Sequence, residues 1–482
     1  MIGRLKAAVK RAVARRLLRA NRAALQSSGL LHADRLPANL WDCSVGETGE
    51  MIAGGVALHE LAREFGTPLH VVHIEKLQRN YDEFLGAFSG AHARVRLGTS
   101  YKTNPVPMVL RVLHERGSLA EVISHFELWL ALELGVPGSR IIFNGPGKPR
   151  EALELAVSSG VWLINVDSHE ELEDLEAVCA RRGCRQKIGL RVTTSVGWES
   201  QFGFGIVNGS ALRGFRRAAE SGHLDPVGIH LHLGTGISNV DTYVRGVSET
   251  LEFAAGLKAE IGVAPSVLDL GGGFGVPTTR SRTPWDDRLQ HLGMPIRTAV
   301  PSEVPTPADY ARRIVPLVNE YLEQTGAAEA ELIFEPGRAI SASAQMLLLS
   351  VVRVKHADRE APDVILDGGR NLCMPLAWEF HEVHPTGRML EAVLETQNLY
   401  GPLCHPYDVV ALSKPLPPLS VGDVVAVMDA GAYFVPNQMN FSNPRPGVVG
   451  VENGSARWFR TPESFADIVR LDAHESLAGV GA

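Results

Sequence analysis

A lysine closes what reads as a buried strand. In "LGTSYKTNP", residues 97–105, the alternation of Arg94, Val95, Arg96 and Leu97 gives way to small residues, then Tyr101, then Lys102, and Asn104-Pro105 ends the stretch. A lysine so placed either snorkels to water from a strand end or offers an amine whose pKa is lowered, ready to form a Schiff base. Further polar or glycine residues stand at expected strand ends: Glu121, Asn144, His232, Thr235, Gly271, Gly272, Gly273, Glu335 and Arg338. Glycines there would let backbone N–H groups approach a phosphate without side chains in the way. Each residue also has a plainer reading: Glu335 as an ion-pair partner of Arg338, His232 as a satisfied core histidine, the glycines as a strand-to-helix turn.

Such residues need a scaffold that gathers strand ends. From about residue 56, strand-like and helix-like stretches alternate: "TPLHVVHI" precedes "EKLQRNYDEFLGAF", "ARVRLGTSY" precedes "NPVPMVLRVLHERG", and "VWLINVDS" precedes "HEELEDLEAVCARRG". "KIGLRVTT", "PVGIHLHLGTG", "VLDLGGGFG" and "ELIFEPGRAI" read as further strands. The alternation predicts parallel βα units. About eight strands between residues 68 and 338 predict a closed TIM-like (β/α)8 barrel over 67–340, with its site at the C-terminal strand ends. An open doubly wound sheet is the alternative, although no glycine-rich turn follows the first strand as a dinucleotide fold requires. Residues 276–308 hold six prolines and no period, the signature of a lid or a disordered insertion. Beyond residue 340, short β-branched stretches between turns predict a β-rich domain over 341–482. The segment 35–66 is expected partly to join it, with a strand around 35–55.

The length of 482 residues suits two domains, and 45% hydrophobic with 21% charged residues is an ordinary globular mix. A net charge of −7 gives no reason to expect a nucleic-acid partner. Cys43, Cys179, Cys184, Cys373 and Cys404 are odd in number and lack metal-ligand spacing, so no disulfide framework and no metal site is expected, and a reducing, cytoplasmic setting fits. No run of 18 uncharged apolar residues occurs, so no membrane span is expected. Residues 1–34 read as a basic amphipathic helix, with Ile2, Leu5, Val9, Val13 and Leu17 at helical spacing and no acid before Asp34. It could be a transit peptide, a membrane-surface helix, a docking helix for an acidic partner, or a solvated extension.

"YKTNP" (101–105), "HLHLG" (230–234), "LDLGGGFG" (268–275), "EPGR" (335–338), "GPLCHPYD" (401–408) and "GAY" (431–433) follow one another in a definite order. That order resembles the pyridoxal-phosphate decarboxylases of the alanine-racemase-type barrel, which act on diaminopimelate, ornithine or arginine, and is nearest to the diaminopimelate enzymes. The resemblance spans about residues 67–446 and implies pyridoxal 5'-phosphate as cofactor. It implies that Lys102 carries the cofactor, although "TSYK" departs from the usual alanine and valine before the lysine. Glu335 is similar to the glutamate that keeps the ring nitrogen protonated, and His232 to the histidine stacked on the ring. His230, on the same strand, should also face inward. Gly272 and Gly273, Thr235 (in place of a serine), Arg338 and Tyr433 look like phosphate or carboxylate partners. Cys404 and Asp408 sit in a frame similar to the family's GPxCxxxD. There the segment crosses to the other subunit and the cysteine reprotonates the carbanion, which implies a homodimer with shared sites.

The match thins at substrate recognition. The diaminopimelate and ornithine enzymes have an acid after the cysteine to pair with a distal ammonium, and here stands His405. The diaminopimelate enzymes hold a distal carboxylate with an arginine and a tyrosine, and here stand Met374 and Trp378. A buried ammonium without its acid would cost several kcal/mol, so diaminopimelate, ornithine and lysine are doubtful substrates. The tail is expected to be neutral, anionic or part of a larger molecule, such as an aminoacyl group tethered to an acidic carrier protein that the basic N-terminus would meet. The resemblance also leaves two other readings: an amino-acid racemase on the same barrel, and a non-catalytic, regulatory cofactor-binding protein.

Overall fold

The computed structural model describes residues 35–472, except 199, 292–297, 356–360 and 394, together with positions 6, 9, 12, 13 and 16. The basic N-terminal helix expected over 1–34 therefore lies largely outside the described residues. In chain order the strands that matter here are β1 Leu69–His73, β2 Val95–Ser100, β3 Leu119–Val122, β4 Ile141–Phe143, β5 Leu163–Val166, β6 Gln186–Thr193, β7 Leu224–Leu231, β8 Val267–Asp269, β9 Glu331–Phe334 and β10 Gln345–Lys355.

Strands β2 to β9 pair in parallel in sequence order, and β9 returns to β2 with Leu332 opposite Val95 and Phe334 opposite Leu97. The sheet is thus a closed barrel, which removes the open-sheet alternative. The first strand-like stretch is not part of it: β1 pairs antiparallel with β10 and parallel with Gly447–Glu452, inside the second domain's sheet. The helix that follows β1, Ile74–Ser89, does pack on the barrel through Leu77, Tyr81, Phe84 and Phe88.

Local signals explain the helices between strands. His169–Arg182 begins where the Ser168 hydroxyl accepts from the Glu171 N–H at 3.2 Å and ends at Gly183 in the left-handed region. Its buried residues, Leu172, Leu175, Val178 and Cys179, recur every three to four positions. Each buried apolar side chain of this size stabilises by about 1.5–3 kcal/mol before entropy is counted.

The barrel interior is layered with the strand period of two. Leu119, Ile142, Leu163, Val267 and Ile333 form one apolar cluster. Two residues further along each chain stand Glu121, Asn144, Asn165, Asp269 and Glu335, all buried. An apolar plug therefore floors a polar layer at the C-terminal mouth.

The second domain is a mostly antiparallel assembly around β10, which also pairs with Val424–Val427 and Asp363–Leu366. The segment 44–57 does not lend it a strand. It forms its own three-stranded sheet, and Trp41, Met51 and Leu58 pack against Met346, Leu348 and Val449. The insertion after residue 276 has regular pieces: Arg280–Ser281 pairs antiparallel with Glu379–Phe380, and a helix spans Pro284–His291.

Candidate active site

All eight barrel strands bring a polar group to one mouth. Lys102, two residues past β2, places its Nζ 2.9 and 2.7 Å from the two carboxylate oxygens of Glu121 on β3. Asn144, just past β4, donates from Nδ2 to Glu121 Oε1 at 3.0 Å and to Glu335 Oε1 at 2.6 Å. On β5, Asn165 donates to the Asn144 side-chain oxygen at 2.8 Å and to Asp269 at 2.9 Å. Arg191 on β6 lies 3.6 Å from Asp167 and against the ring of Phe202. His230 on β7 is buried, as its strand position predicts. Its Nε2 is 3.8 Å from Glu335, and neither ring nitrogen has a hydrogen-bond partner among the described residues.

Proton states follow from these contacts. Burial lowers the Lys102 ammonium, but Glu121, Glu335 and Tyr433 more than reverse this, so its pKa ends above the ordinary value. The expectation of a lowered lysine pKa is therefore corrected: without cofactor the amine is held as an ammonium by Glu121. Burial raises the Glu335 carboxyl well above its usual range, with Asp269 and Glu121 adding to the shift. Asp269 is pushed up to about 7, chiefly by burial. The Asp269–Glu335 pair thus keeps a proton near neutrality. Burial, with Lys102 and Arg191, lowers His232 to about 3, so its ring is neutral. The Gly272 N–H points at His232 Nδ1 at 3.3 Å. A backbone amide can only donate, so Nδ1 accepts and the ring proton sits on Nε2.

The glycine loop is forced by close backbone approach. A Cβ at Gly272 would stand 2.1 Å from the Glu335 carbonyl oxygen, and one at Gly273, whose φ is +88°, would stand 2.1 Å from the Gly234 carbonyl oxygen. Thr235 is exposed on the neighbouring loop and, with Gly236, Gly275, Arg338 and Glu379, lines a cavity of about 530 Å³. An amine, a protonated carboxyl, a neutral flat imidazole and a side-chain-free loop suit pyridoxal phosphate, and the loop leads through Gly275 to the wall of the cavity.

Other expected site residues sit differently. The Arg338 guanidinium, read as a phosphate or carboxylate partner, is held by Glu379 at 2.8 and 2.6 Å and lies over the Tyr433 ring. Asp408, expected to touch substrate, is buried and accepts from the backbone N–H groups of Arg370 at 2.6 Å and Leu403 at 2.7 Å. It staples the Cys404 loop instead. Cys404 and His405 are exposed on that loop, with His405 packed against Tyr407 and Phe441. Among the described residues, no hydrogen bond or ion pair joins the loop to Lys102, His232 or Glu335. Met374 is half-buried and Trp378 exposed. Sequence reasoning missed Asn165, Asp269, Arg191 and Glu379. The first three were findable from the strand period, since each follows a buried apolar residue by one or two positions. Glu379 had no local signal.

The pyridoxal-dependent decarboxylase family, pyridoxal binding domain, matches residues 73–342. The chain is 32% identical over 442 residues to a diaminopimelate decarboxylase of Methanothermobacter thermautotrophicus, covering 89% of this chain and 97% of the relative. It is 30% identical over 438 residues to that of Bacillus subtilis, covering 88% and 95%. The crystal structure of the M. jannaschii diaminopimelate decarboxylase in complex with L-lysine superposes with a TM-score of 0.81 at 26% identity, covering 91% of this chain and 99% of that one. With the barrel, the lysine–carboxylate mouth and these matches in hand, the chain belongs to the pyridoxal-phosphate-dependent amino-acid decarboxylases, carboxy-lyases of the diaminopimelate decarboxylase type.

Proposed function

We propose that the enzyme works as a homodimer with shared sites and decarboxylates an amino acid that carries no free ammonium on its tail. Pyridoxal phosphate, when bound, takes up the electron pair left behind as CO2 departs. Lys102 would hold it, and Glu121 would accept the charge of the lysine whenever the amine is released. Glu335 would give its proton to a ring nitrogen, since the buried Asp269–Glu335 pair already stores one. His232 would cover the ring with a neutral face. Cys404 Sγ would return a proton to the carbon that lost CO2.

The observation that carries the shared site is that, among the described residues, no hydrogen bond or ion pair joins the Cys404 loop to Lys102, His232 or Glu335. Lys102, Glu335 and His232 cluster in the barrel, while Cys404 stands on an exposed loop with Tyr407 exposed three residues on and exposed Phe441 against His405. Apolar surface of this kind calls for a partner, and a second copy would supply the cysteine. The absence of an acid at His405 supports a tail without an ammonium. A substrate tethered to an acidic carrier protein is a further form of this reading, favoured by eight basic residues and no acid in the first 33 positions. The cysteines are all free, which supports a cytoplasmic setting, and no described helix is long and apolar enough to cross a membrane.

The test is purified holoenzyme assayed with both enantiomers of amino acids bearing neutral, anionic and cationic tails. CO2 release with amine product supports the reading. Exchange of the α-proton without CO2 would assign a racemase, and cofactor binding without turnover a regulatory protein.

A further inference from the structure

The insertion after residue 276 builds one wall of the 530 Å³ cavity. Because Ser281 lies opposite Glu379 and Arg280 opposite Phe380, the insertion is registered against the strand that carries Glu379. Two ion pairs consequently line the same space. Arg338 is held in a two-pronged contact by Glu379, and Arg280 by Asp286 at 2.8 Å on both sides. Glu379 also lies 3.2 Å from His381 Nε2. Burial would raise the Glu379 carboxyl, but His381 and Arg338 outweigh it and keep it ionised. Glu303, exposed at the mouth, is partnered as well. Among the described residues the remaining polar lining consists of hydroxyls: Thr235, Ser238, Thr279, Ser281, Thr283 and Thr298. Of these, Thr283 is already engaged, donating to Asp286.

Resting on the decarboxylase reading above, we propose that this cavity receives a neutral, hydrogen-bonding substrate tail of the amide or hydroxyl class, and that Glu379 sets this selectivity by occupying the Arg338 guanidinium. A carboxylate tail would have to displace Glu379 or Asp286 from an arginine. An ammonium tail would have to compete with an arginine for the same carboxylate. Each would lose its water without meeting an unpaired opposite charge among the described residues. An amide or hydroxyl needs only the hydroxyl and backbone groups that the walls present.

The experiment compares holoenzyme with tails of matched length, using both enantiomers of glutamine, N5-methylglutamine, glutamate and ornithine. CO2 release gives kcat/KM, and the cofactor absorbance change on binding gives affinity where turnover is slow. The expected result is a preference of at least about 10-fold for the amides. Glu379→Gln should shift the glutamine-to-glutamate ratio toward glutamate by about 10-fold or more, through the freed Arg338. Asp286→Asn, on the insertion, should shift it the same way by less. A ratio does not move when a variant merely folds poorly. Wild-type enzyme that handles glutamate or ornithine as well as the amides, or an unchanged ratio in both variants, overturns the inference while leaving the decarboxylase reading intact. No CO2 and no absorbance change with any amino acid would overturn both.

Discussion

Two regions of this molecule hold their polar groups in opposite ways. At the barrel mouth, Glu121, Asn144, Asn165, Asp269 and Glu335 are each 3% exposed or less and are tied into one hydrogen-bond network. On the second domain, Tyr407 is 73% exposed, Phe441 46% and Trp378 46%, and Cys404 is exposed with a free thiol. The first region is pre-organised by rigid strands, where a proton and an amine must be held in place. The second sits on loops, where recognition and subunit contact are built and sequence drifts most readily. The departures that bear on the substrate tail, Met374, Trp378 and His405, fall in the second region, while the lysine, glutamate, histidine and glycine loop of the first are kept beside the smaller changes at Ser100-Tyr101 and Thr235.

The largest expected effect lies in the rigid region. Lys102→Ala should lower kcat by at least about 10³-fold, because it removes the amine that Glu121 holds at the centre of the mouth. Borohydride reduction followed by peptide mapping should find the cofactor on Lys102 in the wild type. Label on the buried Lys148 instead would break the assignment of the mouth.

Next comes the exposed loop. Cys404→Ala should cost about 10²- to 10⁴-fold, the usual worth of a placed general acid. Mixing it with Lys102→Ala protein should restore activity, since about half of randomly formed dimers are mixed and each carries one intact site of two, or about a quarter of wild type. If labelled subunits exchange and activity stays absent, the loop serves its own chain and the contrast between regions fails.

A smaller change tests the loop as a specificity element. His405→Glu supplies an acid for a distal ammonium, and should raise kcat/KM for ornithine and lysine by about 10- to 100-fold. The gain should shrink at high salt if the pocket is partly wet. Efficient turnover of ornithine by the wild type would contradict the proposed tail chemistry.

The smallest effect is in stability. In cofactor-free protein Asp269 titrates at about 7, against about 4 for an unfolded aspartate. Over that interval the folded state binds a proton that the unfolded state has released. Stability from this group is therefore fully present at low pH and declines as pH rises from about 4 toward 7. Asp269→Asn should flatten this part of the Tm–pH curve by a few degrees. An equally steep decline in the variant would mean that another group stores the proton.

The alternation of strand and helix stretches, with the motif order from "YKTNP" to "GAY", determined the barrel, its β-rich companion, the cofactor and most of the mouth, because strand ends and helix stops are written in short-range patterns. Asn165 and Asp269 were legible by the same rule, each standing two residues beyond the buried Leu163 and Val267. What the sequence did not decide was pairing at long range. Nothing local separates β1 from the barrel strands, and only the closing contact of β9 with β2 assigns it to the second sheet. Arg338 reads as an anion site until Glu379, 41 residues away, is folded against it, and Asp408 reads as a substrate ligand until Arg370 and Leu403 present their N–H groups to it. A charged side chain's role depends on which opposite charge or donor the tertiary fold brings within hydrogen-bond reach, and that partner leaves no mark at the residue's own position in the chain.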